Sequence, residues 1–178
     1  WGPTFLQESR GLSSEMAGWT VAIFEVMGVC GMLTAGVISD KLFKGDRQLP
    51  ALVAGILHTL SIILFLYGGD SVTINVVAMV LRGLAIGVLI CFVGGLMAVD
   101  LVPRKASGAA LGIVGLVSYI FASTQDIISG MLIDKNTTIL ENGEKVIDFG
   151  PVGYLWIGAA IISFLLPLFN WGRKQQQI

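Results

Sequence analysis

The sequence is poor in charged residues. Asp, Glu, Lys and Arg together make up only 13% of the 178 residues, whereas 54% are hydrophobic and the mean hydropathy is +0.82. A soluble domain cannot cover that much apolar surface, so the composition predicts an integral membrane protein. The net charge of −1 says nothing about partners, and the placement of the few charges carries the information instead. We expect no nucleic-acid partner.

Cysteine and histidine are scarce. The two cysteines, Cys30 and Cys91, both fall inside apolar runs, which excludes a disulfide framework and favours packing thiols. The only histidine is His58, so no second histidine is present to build a metal site. The sequence also lacks a nucleophile elbow, a metal-ligand cluster and a phosphate-binding glycine loop. We therefore expect a protein that is not an enzyme and that holds no metal or cofactor.

The start of the sequence has neither a Met nor a signal-peptide pattern. Residues 1–10 run from Trp1, a residue type common at membrane interfaces, into polar sequence, which is typical of the outer end of a helix. We expect the whole sequence to be a fragment of a longer membrane protein.

Five apolar segments each approach the ~20 residues that a helix needs to cross the hydrocarbon core of a bilayer. The first of them follows Ser13, Ser14 and Glu15, whose side chains can cap the backbone N–H groups at a helix start. The predicted fold class is therefore all-α integral membrane. The predicted spans cover residues 15–38, 49–67, 73–99, 106–133 and 151–169.

Lysine and arginine are divided unevenly between the two sets of connections. One set is formed by the loop at 39–48, the turn at 100–105 and the C-terminus, and the other set includes the loop at 134–150. The positive-inside rule places the first set in the cytoplasm. That set carries Lys41, Lys44, Arg47, Arg104, Lys105, Arg173 and Lys174, and the outer set carries only Arg10, Lys135 and Lys145. In the outer loop, Asn142-Gly143 between β-prone residues predicts a hairpin with a type I′ turn.

Four ionisable residues lie within predicted spans, where a charge is costly and usually faces a bundle interior or a watery cavity. Arg82 and Asp126 share a depth, roughly 12 Å below the outer boundary at 1.5 Å per residue. We hypothesise that they pair across neighbouring helices, and the alternative is that each faces a separate partner or water. Glu25, near the middle of the first span, is either a neutral buried carboxyl group or a carboxylate that pairs with a cation of the full protein. We expect His58 to have a structural role.

One face of the fourth span carries small and polar residues at spacings of three and four. Gly108, Gly112 and Gly115 permit close helix contact in its cytoplasmic half, whereas Tyr119 and Asp126 make the outer half polar. Such a face is expected of a moving wall in a transport cavity, and the alternative is tight packing with Tyr119 in the core. The glycines of the third span are typical of a helix that can kink: Gly83, Gly87, Gly94 and Gly95.

The first cytoplasmic loop carries a recognisable motif. Gly36-x-x-x-Asp40-Lys41, followed by a basic stretch that ends at Arg47, resembles the loop signature of the major facilitator superfamily in its second-half copy. Other stretches resemble the organophosphate:phosphate antiporter family within it, and the sequence around Tyr119 and Asp126 resembles the phosphoglycerate transporters. The stretches that carry the family resemblance are residues 1–6, the Glu25 helix with 39–43, and 100–112.

This resemblance implies twelve helices in two pseudo-symmetric halves, with the substrate bound between them near the midplane. The chain would form the C-terminal half, from the end of helix seven to helix twelve, in the cell inner membrane. The implied reaction exchanges inorganic phosphate for an organophosphate by alternating access. The implied partners are these two anions, the lipid bilayer and the N-terminal half of the same protein. A non-transporting organophosphate sensor of the same fold and a facilitator for another small anion are the alternatives.

The resemblance also implies site residues. Two arginines, one from each half, would clamp the phosphoryl group, and the second-half arginine would lie upstream of Trp1. Glu25 matches an acidic position in helix eight that balances positive charge, and Tyr119 matches a tyrosine of helix eleven near the site. The hexose-phosphate branch is expected to have a lysine on helix eleven, where this sequence has Asp126, and Arg82 matches no family motif.

The expected gating residues are Gly36, Asp40, Lys41 and Arg47. Gly36 would allow two helices to approach closely, and Asp40 would latch the cytoplasmic gate shut beside the helix N-terminus near Gly108, where the helix dipole stabilises a carboxylate. The alternative is that Asp40 and its basic neighbours only fix the topology.

Overall fold

A computed structural model describes residues 1–44, 46–141, 143 and 145–165. Within these residues the regular structure is helical except for one short hairpin. The elements are α1 (Gly2–Arg10), α2 (Ser14–Leu42), α3 (Gln48–Tyr67), α4 (Val72–Leu89), α5 (Met97–Asp100), α6 (Ser107–Lys135), β1 (Thr137–Ile139), β2 (Lys145–Ile147) and α7 (Gly150–Leu165). A π-helical segment (Ile90–Leu96) joins α4 to α5 without a break, so these three form the third long helical stretch. A 3₁₀ turn (Arg104–Ala106) precedes α6.

Among the described residues, four helical stretches are long and apolar enough to cross a membrane: Ser14–Leu42, Gln48–Tyr67, Val72–Asp100 and Arg104–Lys135. They coincide with the first four predicted spans, so the all-α class expected from the composition is confirmed. α7 begins at Gly150, one residue before the fifth predicted span, and is described to Leu165. The remainder of that span, together with Arg173 and Lys174, lies outside the described residues.

Different residues determine where α2 begins and where it ends. At its start, the Ser13 hydroxyl accepts a hydrogen bond from the Met16 N–H at 3.2 Å, as the capping sequence predicts. At its end, the helix continues to Leu42, four residues beyond the predicted limit at residue 38. Asp40 and Lys41 therefore lie in the last helical turn and not in the loop. Lys41 is favourable there because a cation stabilises the negative end of the helix dipole.

Polar contacts tie helix ends together on both sides of the bundle. On one side, Arg10 Nη1 lies 2.7 Å from Asp70 Oδ1 and Arg10 Nη2 donates to the Leu66 carbonyl at 2.8 Å. On the other side, Arg47 pairs with Asp100. The first contact joins the end of α1 to the end of α3, and the second joins the start of α3 to the end of α5. Consecutive long helices thus run in opposite directions. This alternation places the lysine- and arginine-rich connections on one side of the bundle, as the sequence predicts.

Glycine allows α2 and α4 to pack backbone against backbone. A Cβ atom added at Gly31 would overlap the Leu84 carbonyl, and one added at Gly87 would overlap the Gly28 carbonyl. Gly83 likewise meets the carbonyl of Phe24. Small residues permit this approach in membrane helices, where van der Waals contact drives association. Gly83 and Gly87 are therefore packing residues, whereas Gly94 and Gly95 lie in the π-helical segment.

An aromatic cluster holds the outer end of the bundle. The Phe5 ring lies 4.8 Å from that of Phe65 and 5.1 Å from that of Phe149, the latter at an interplanar angle of 83°. All three side chains are at least nine-tenths buried. Since such pairs contribute ~0.5–1.5 kcal/mol beyond burial, the cluster fixes α1 against α3 and the segment that leads into α7.

The outer loop forms the predicted hairpin with a different turn. β1 and β2 are antiparallel, with Thr137 opposite Ile147 and Ile139 opposite Lys145. The Gly143 N–H donates to the Leu140 carbonyl at 2.8 Å, and Gly143 has a φ of 82°. The predicted two-residue turn centred on Asn142-Gly143 is therefore wrong, because the hydrogen-bonded turn begins at Leu140. Asn142 itself lies outside the described residues.

α6 packs against α7 near Ser129, and it also contacts α5 and the π-helical segment. The Trp156 indole N–H donates to the buried Ser129 hydroxyl at 2.9 Å, and a Cβ added at Gly130 would lie 3.1 Å from the Trp1 ring. In its cytoplasmic half the expected close contact is absent from the described chain, since a Cβ on any of three glycines would meet no atom within 4 Å: Gly108, Gly112 and Gly115. Tyr119 is 78% exposed, so the alternative that placed its phenol in the core is wrong for this arrangement.

The Trp156–Ser129 contact gives a stability prediction. We expect Ser129→Ala to lower the free energy of unfolding by about 1–3 kcal/mol, because the half-buried indole N–H loses its acceptor. Thermal unfolding of the detergent-solubilised intact protein measures the effect. Ser163→Ala is the matched control, because the Ser163 hydroxyl bonds to the Ala160 carbonyl of its own helix. A Ser129→Ala variant as stable as this control would contradict the assignment.

Candidate functional site

A cavity of about 380 Å³ lies between the start of α1 and helices α2, α3, α4, α6 and α7. Part of its wall is apolar, with Phe24, Ile62 and Ile86 among the lining residues. The polar part of the wall combines side chains from four helices: His58, Arg82, Gln125, Asp126 and Ser163. Two of the residues singled out in the sequence, Arg82 and Asp126, are thus brought to the same cavity.

The expected ion pair between these two residues does not form. No contact within 4.0 Å joins the Arg82 guanidinium to the Asp126 carboxylate, and both residues belong to the described chain. The Arg82 guanidinium carbon instead lies 5.4 Å from the centre of the Phe24 ring, and its Nε is buried without a hydrogen-bond partner. A shared depth sets the axial position of both residues, but the lateral distance depends on how α6 packs. α6 leaves Asp126 exposed.

His58 is the second buried polar side chain of the cavity wall. The residue is 9% exposed, and its Nδ1 has no hydrogen-bond partner among the described residues. Its backbone carbonyl accepts from the Ser61 hydroxyl at 2.7 Å. His58 and Arg82 both line the cavity, and each has a buried nitrogen without a hydrogen-bond partner among the described residues.

Glu25 and Tyr119 do not line this cavity. Glu25 follows Phe24 on α2 and is exposed, and Tyr119 is exposed on α6. Tyr119 lies seven residues before Asp126, about two helical turns away on the same face. Of the four residues predicted for the substrate cavity, Arg82 and Asp126 line this cavity. Glu25 and Tyr119 lie on helix faces that the described chain leaves uncovered.

The end of the bundle at the loop 39–48 contains a charge cluster centred on Arg47. Arg47 Nη1 donates to the Leu96 carbonyl at 3.2 Å and pairs with the Asp100 carboxylate, and the two paired side chains are 28% and 25% exposed. The carbonyls at a helix end lack partners within the helix, so an arginine there satisfies one of them and offsets the helix dipole. Sequence analysis missed Asp100 as a partner of Arg47. The available signal was that one connection contains Asp100 as its single acidic residue and a connection on the same side contains Arg47.

The other expected gating residues are not engaged within the described chain. A Cβ at Gly36 would meet no atom within 4 Å, so the predicted close approach at Gly36 is not formed here. Asp40 and Lys41 are exposed, and neither makes a hydrogen bond or an ion pair with the described residues. The loop that follows is fixed instead by the Ser39 hydroxyl, which donates to the Asp46 carbonyl at 3.0 Å.

Cys30 and Cys91 are both free thiols and are half-buried. In the part of the chain that the structure describes, no group of three or more His, Cys, Asp or Glu side chains could hold a metal ion. The arrangement available for chemistry is therefore a buried guanidinium and imidazole at a cavity, with carboxylates and a phenol on neighbouring helix faces.

Residues 1–124 match the family model described as Major Facilitator Superfamily. The chain belongs to the Major Facilitator Superfamily. The helical architecture agrees with a partial all-α transporter of this fold, which confirms the fold class expected from the sequence.

Named superfamily relatives support the more specific resemblance. The glycerol-3-phosphate transporter of Bacillus subtilis (strain 168) is 32% identical over 139 residues, which is 76% of this chain and 31% of the relative. The phosphoglycerate transporter protein of Salmonella typhimurium (strain LT2) is 30% identical over 139 residues, 76% of this chain and 29% of the relative. The membrane sensor protein UhpC of the same strain is 34% identical over 128 residues, 69% of this chain and 28% of the relative.

These relatives confirm the resemblance to the organophosphate:phosphate antiporter family. The chain spans less than a third of the length of each of them.

Proposed function

We propose that the chain is part of a secondary transporter that exchanges an organophosphate, such as a phosphoglycerate or a sugar phosphate, for inorganic phosphate by alternating access. The observation that carries this proposal is the match over 76% of the chain to transporters named for glycerol 3-phosphate and for phosphoglycerate. The helical architecture is compatible with this activity, because its long apolar helices alternate in direction and leave polar faces uncovered.

In this proposal the chain is the C-terminal half of the transporter in the cell inner membrane. The loop at 39–48 and the C-terminus are cytoplasmic, and the loop at 134–150 lies on the outer side. The excess of lysine and arginine in the first set of connections supports this orientation.

The uncovered residues Glu25 and Tyr119 suit the substrate path between the two halves. Glu25 would balance the positive charge of the clamp arginines, and Tyr119 would donate a hydrogen bond near the phosphoryl group. Asp126 continues the face of Tyr119 toward the outer side. The lipid bilayer and the N-terminal half would cover the remaining exposed surface.

Exchange in liposomes tests the proposal. The intact transporter is reconstituted with labelled phosphate inside, and efflux is followed after addition of an external solute. We expect 3-phosphoglycerate, glycerol 3-phosphate or a hexose phosphate to stimulate efflux, and glycerol to have no effect. Transport of a carboxylate or a free sugar without any organophosphate-dependent efflux would overturn the proposal in favour of a facilitator for another substrate.

A second candidate function is a non-transporting organophosphate sensor. The 34% identity to a membrane sensor protein favours this alternative. Calorimetric binding in the same preparation separates the two functions, since a sensor would bind the organophosphate and show no phosphate efflux.

The gating motif gives a prediction that rests on this function. We expect Asp40→Asn to leave membrane insertion intact and to lower the exchange rate roughly two- to fivefold, the range that corresponds to a lost carboxylate–dipole interaction of ~0.3–1 kcal/mol. Asp46→Asn is the matched control. Asp46 Oδ1 accepts from the Gln48 N–H at 2.8 Å, and an asparagine can replace it in that role. An unchanged exchange rate in Asp40→Asn would leave the motif a topological role only.

A further inference from the structure

The cavity between the helices contains a cation that no described residue neutralises. Arg82 lines the cavity, and neither a hydrogen bond nor an ion pair joins its guanidinium to another described residue. The guanidinium carbon lies 5.4 Å from the centre of the Phe24 ring, so an aromatic ring covers one face of the group. Because a guanidinium in apolar surroundings is costly unless an acceptor meets it, this arrangement favours an anionic ligand.

The accessible nitrogens limit how such a ligand binds. Arg82 Nε is buried without a partner, so only the two terminal amino groups of the guanidinium can reach a ligand in the cavity. Together they offer paired N–H donors that match two oxygens of a carboxylate or phosphoryl group. His58 lines the same cavity, and its Nδ1 is likewise buried without a partner. Its Nε2 is therefore the nitrogen that remains to donate to the same anion, as a neutral imidazole can.

The cavity wall also contains hydrogen-bond acceptors. Asp126 on α6 and Ser163 on α7 both line the cavity. No contact within 4.0 Å joins the Asp126 carboxylate to Arg82, so this carboxylate does not occupy the place of the anion. The Ser163 hydroxyl donates to the Ala160 carbonyl, which leaves its oxygen free to accept. These acceptors take hydrogen bonds from hydroxyl groups, and the charge of Asp126 repels a second anionic group.

We propose that the cavity binds a small oxyanion that carries hydroxyl groups. Arg82 and His58 donate to its carboxylate or phosphoryl oxygens, and Asp126 accepts from a hydroxyl group. The cavity volume of about 380 Å³ falls within the range of roughly 300–1,000 Å³ that is typical of small-molecule sites, whose walls are mostly apolar with a few polar groups. Phe24 and Ile86 are among the residues that supply the apolar part.

This site is distinct from the part of the substrate path assigned to Glu25 and Tyr119, because neither residue lines the cavity. The ligand class includes phosphoglycerates, glycerol 3-phosphate and sugar phosphates, and this choice rests on the proposed function. The site itself does not require exchange, so equilibrium binding tests it separately from transport.

Calorimetric binding to the detergent-solubilised intact protein tests the role of Arg82. The four ligands are inorganic phosphate, glycerol 3-phosphate, glycerate and 3-phosphoglycerate. Glycerol 3-phosphate has a phosphoryl group and no carboxylate, and glycerate has the reverse, so the ligand whose affinity changes identifies the anionic group at the site. We expect Arg82→Met to weaken the binding of at least one of them about ten- to a hundredfold, because charged hydrogen bonds are lost.

Arg104→Met is the matched control for this variant. Arg104 is exposed and does not line the cavity, so its removal deletes the same charge without touching the site. We expect its affinities to stay within twofold of wild type. Failure of the wild type to bind any of the four ligands, or affinities that are the same in Arg82→Met and wild type, would overturn the site. Arg82-dependent binding without phosphate efflux would refute the exchange function and leave the site in place.

The thermal unfolding temperature separates a binding role of Arg82 from a structural one. Arg82→Met removes an unpaired buried cation, so the variant without ligand should unfold at the wild-type temperature or above it. Added ligand should raise the unfolding temperature of the wild type and have little effect on the variant. Loss of folded protein in both Arg82→Met and Arg82→Gln would show that the guanidinium is paired within the intact protein, which would overturn the site.

Asp126→Leu tests the hydroxyl acceptor. The quantity measured is the ratio of the affinities for glycerol 3-phosphate and methyl phosphate, which differ in the hydroxyl groups. We expect the preference for glycerol 3-phosphate to fall about tenfold, because a hydrogen bond to a charged acceptor is lost. Asp134→Leu, on the same helix and outside the cavity, should leave the ratio unchanged. An equal ratio in Asp126→Leu and wild type would overturn the assignment of Asp126.

Discussion

Replacing Gly31 by alanine is expected to destabilise the protein by about 3 kcal/mol or more. The added Cβ overlaps the backbone carbonyl of Leu84 on α4, and a backbone atom cannot move aside as a flexible side chain can. Over-packing usually costs about 1–3 kcal/mol, and we expect the upper end because α2 and α4 must separate along their contact. The measurement is the thermal unfolding temperature of the purified intact protein, together with its monodisperse fraction.

Gly18→Ala provides the matched control for this prediction. Gly18 lies on the same helix, and an added Cβ meets no atom within 4 Å. Because alanine is favoured over glycine in a helix interior by up to about 1 kcal/mol, this variant should be as stable as the wild type or slightly more stable. Gly87→Ala should behave like Gly31→Ala, since its Cβ overlaps the Gly28 carbonyl from the opposite side. Equal effects at Gly18 and Gly31 would contradict the proposed backbone contact.

In the proposed transporter, Arg47→Ala is expected to slow phosphate exchange roughly tenfold without preventing membrane insertion. Arg47 joins the start of α3 to the Leu96 carbonyl and the Asp100 carboxylate at the end of the third long helical stretch. The ion pair alone contributes little, because the cost of desolvating two largely buried charges offsets much of their attraction. The variant also loses the charged hydrogen bond to the Leu96 carbonyl. Together the two lost interactions amount to about 1.4 kcal/mol, which corresponds to the tenfold change in rate. The initial exchange rate per reconstituted protein measures the effect.

Arg104→Ala separates this contact from a general effect of cytoplasmic charge. Arg104 is exposed in the turn that follows Asp100, and its removal deletes the same charge near the same membrane surface. We expect its exchange rate to stay within twofold of wild type. A failure of Arg47→Ala to insert, or an equal slowing in Arg104→Ala, would show that the basic residues act only on topology.

These variants test two kinds of contact that hold the cytoplasmic side of the bundle. The glycine contacts bring α2 and α4 together along their length, and the Arg47 contacts fix the helix ends. In the proposed transporter, packed helix pairs that move as rigid units would allow this part of the protein to rock as one body during alternating access. The exposed Asp40 at the end of α2 would then be carried with this unit toward its partner.

Several features of the fold were predictable from local sequence. The start of α2 follows from a hydroxyl at Ser13 that caps the third helical N–H, and the hairpin follows from β-prone residues on both sides of Asn142-Gly143. The exact turn was not predictable. Strand register is decided by pairing along the whole ladder, and here it moves the hydrogen-bonded turn to Leu140.

The candidate site was predictable in depth but not in geometry. Counting residues from the span ends placed Arg82 and Asp126 at one level, and the structure brings both to one cavity. Their missing ion pair, and the partner that Arg47 finds in Asp100, depend on helix rotation and on the lateral spacing of helices. A single sequence fixes neither quantity, since a ridge of one helix can meet several grooves of another.

The sequence by itself determined the membrane class, the positions of the long helices, the sorting of basic residues and the family motifs. Each of these depends on local hydrophobic length or on charge near a helix end, so no distant contact is needed to specify it. The tertiary structure alone decided that Gly31, Gly83 and Gly87 are packing residues, and that Gly36 on α2 and Gly112 on α6 meet no neighbour within the described chain. Those outcomes depend on which helix lies beside which, because a glycine or a buried arginine acquires its role only from the atoms placed against it.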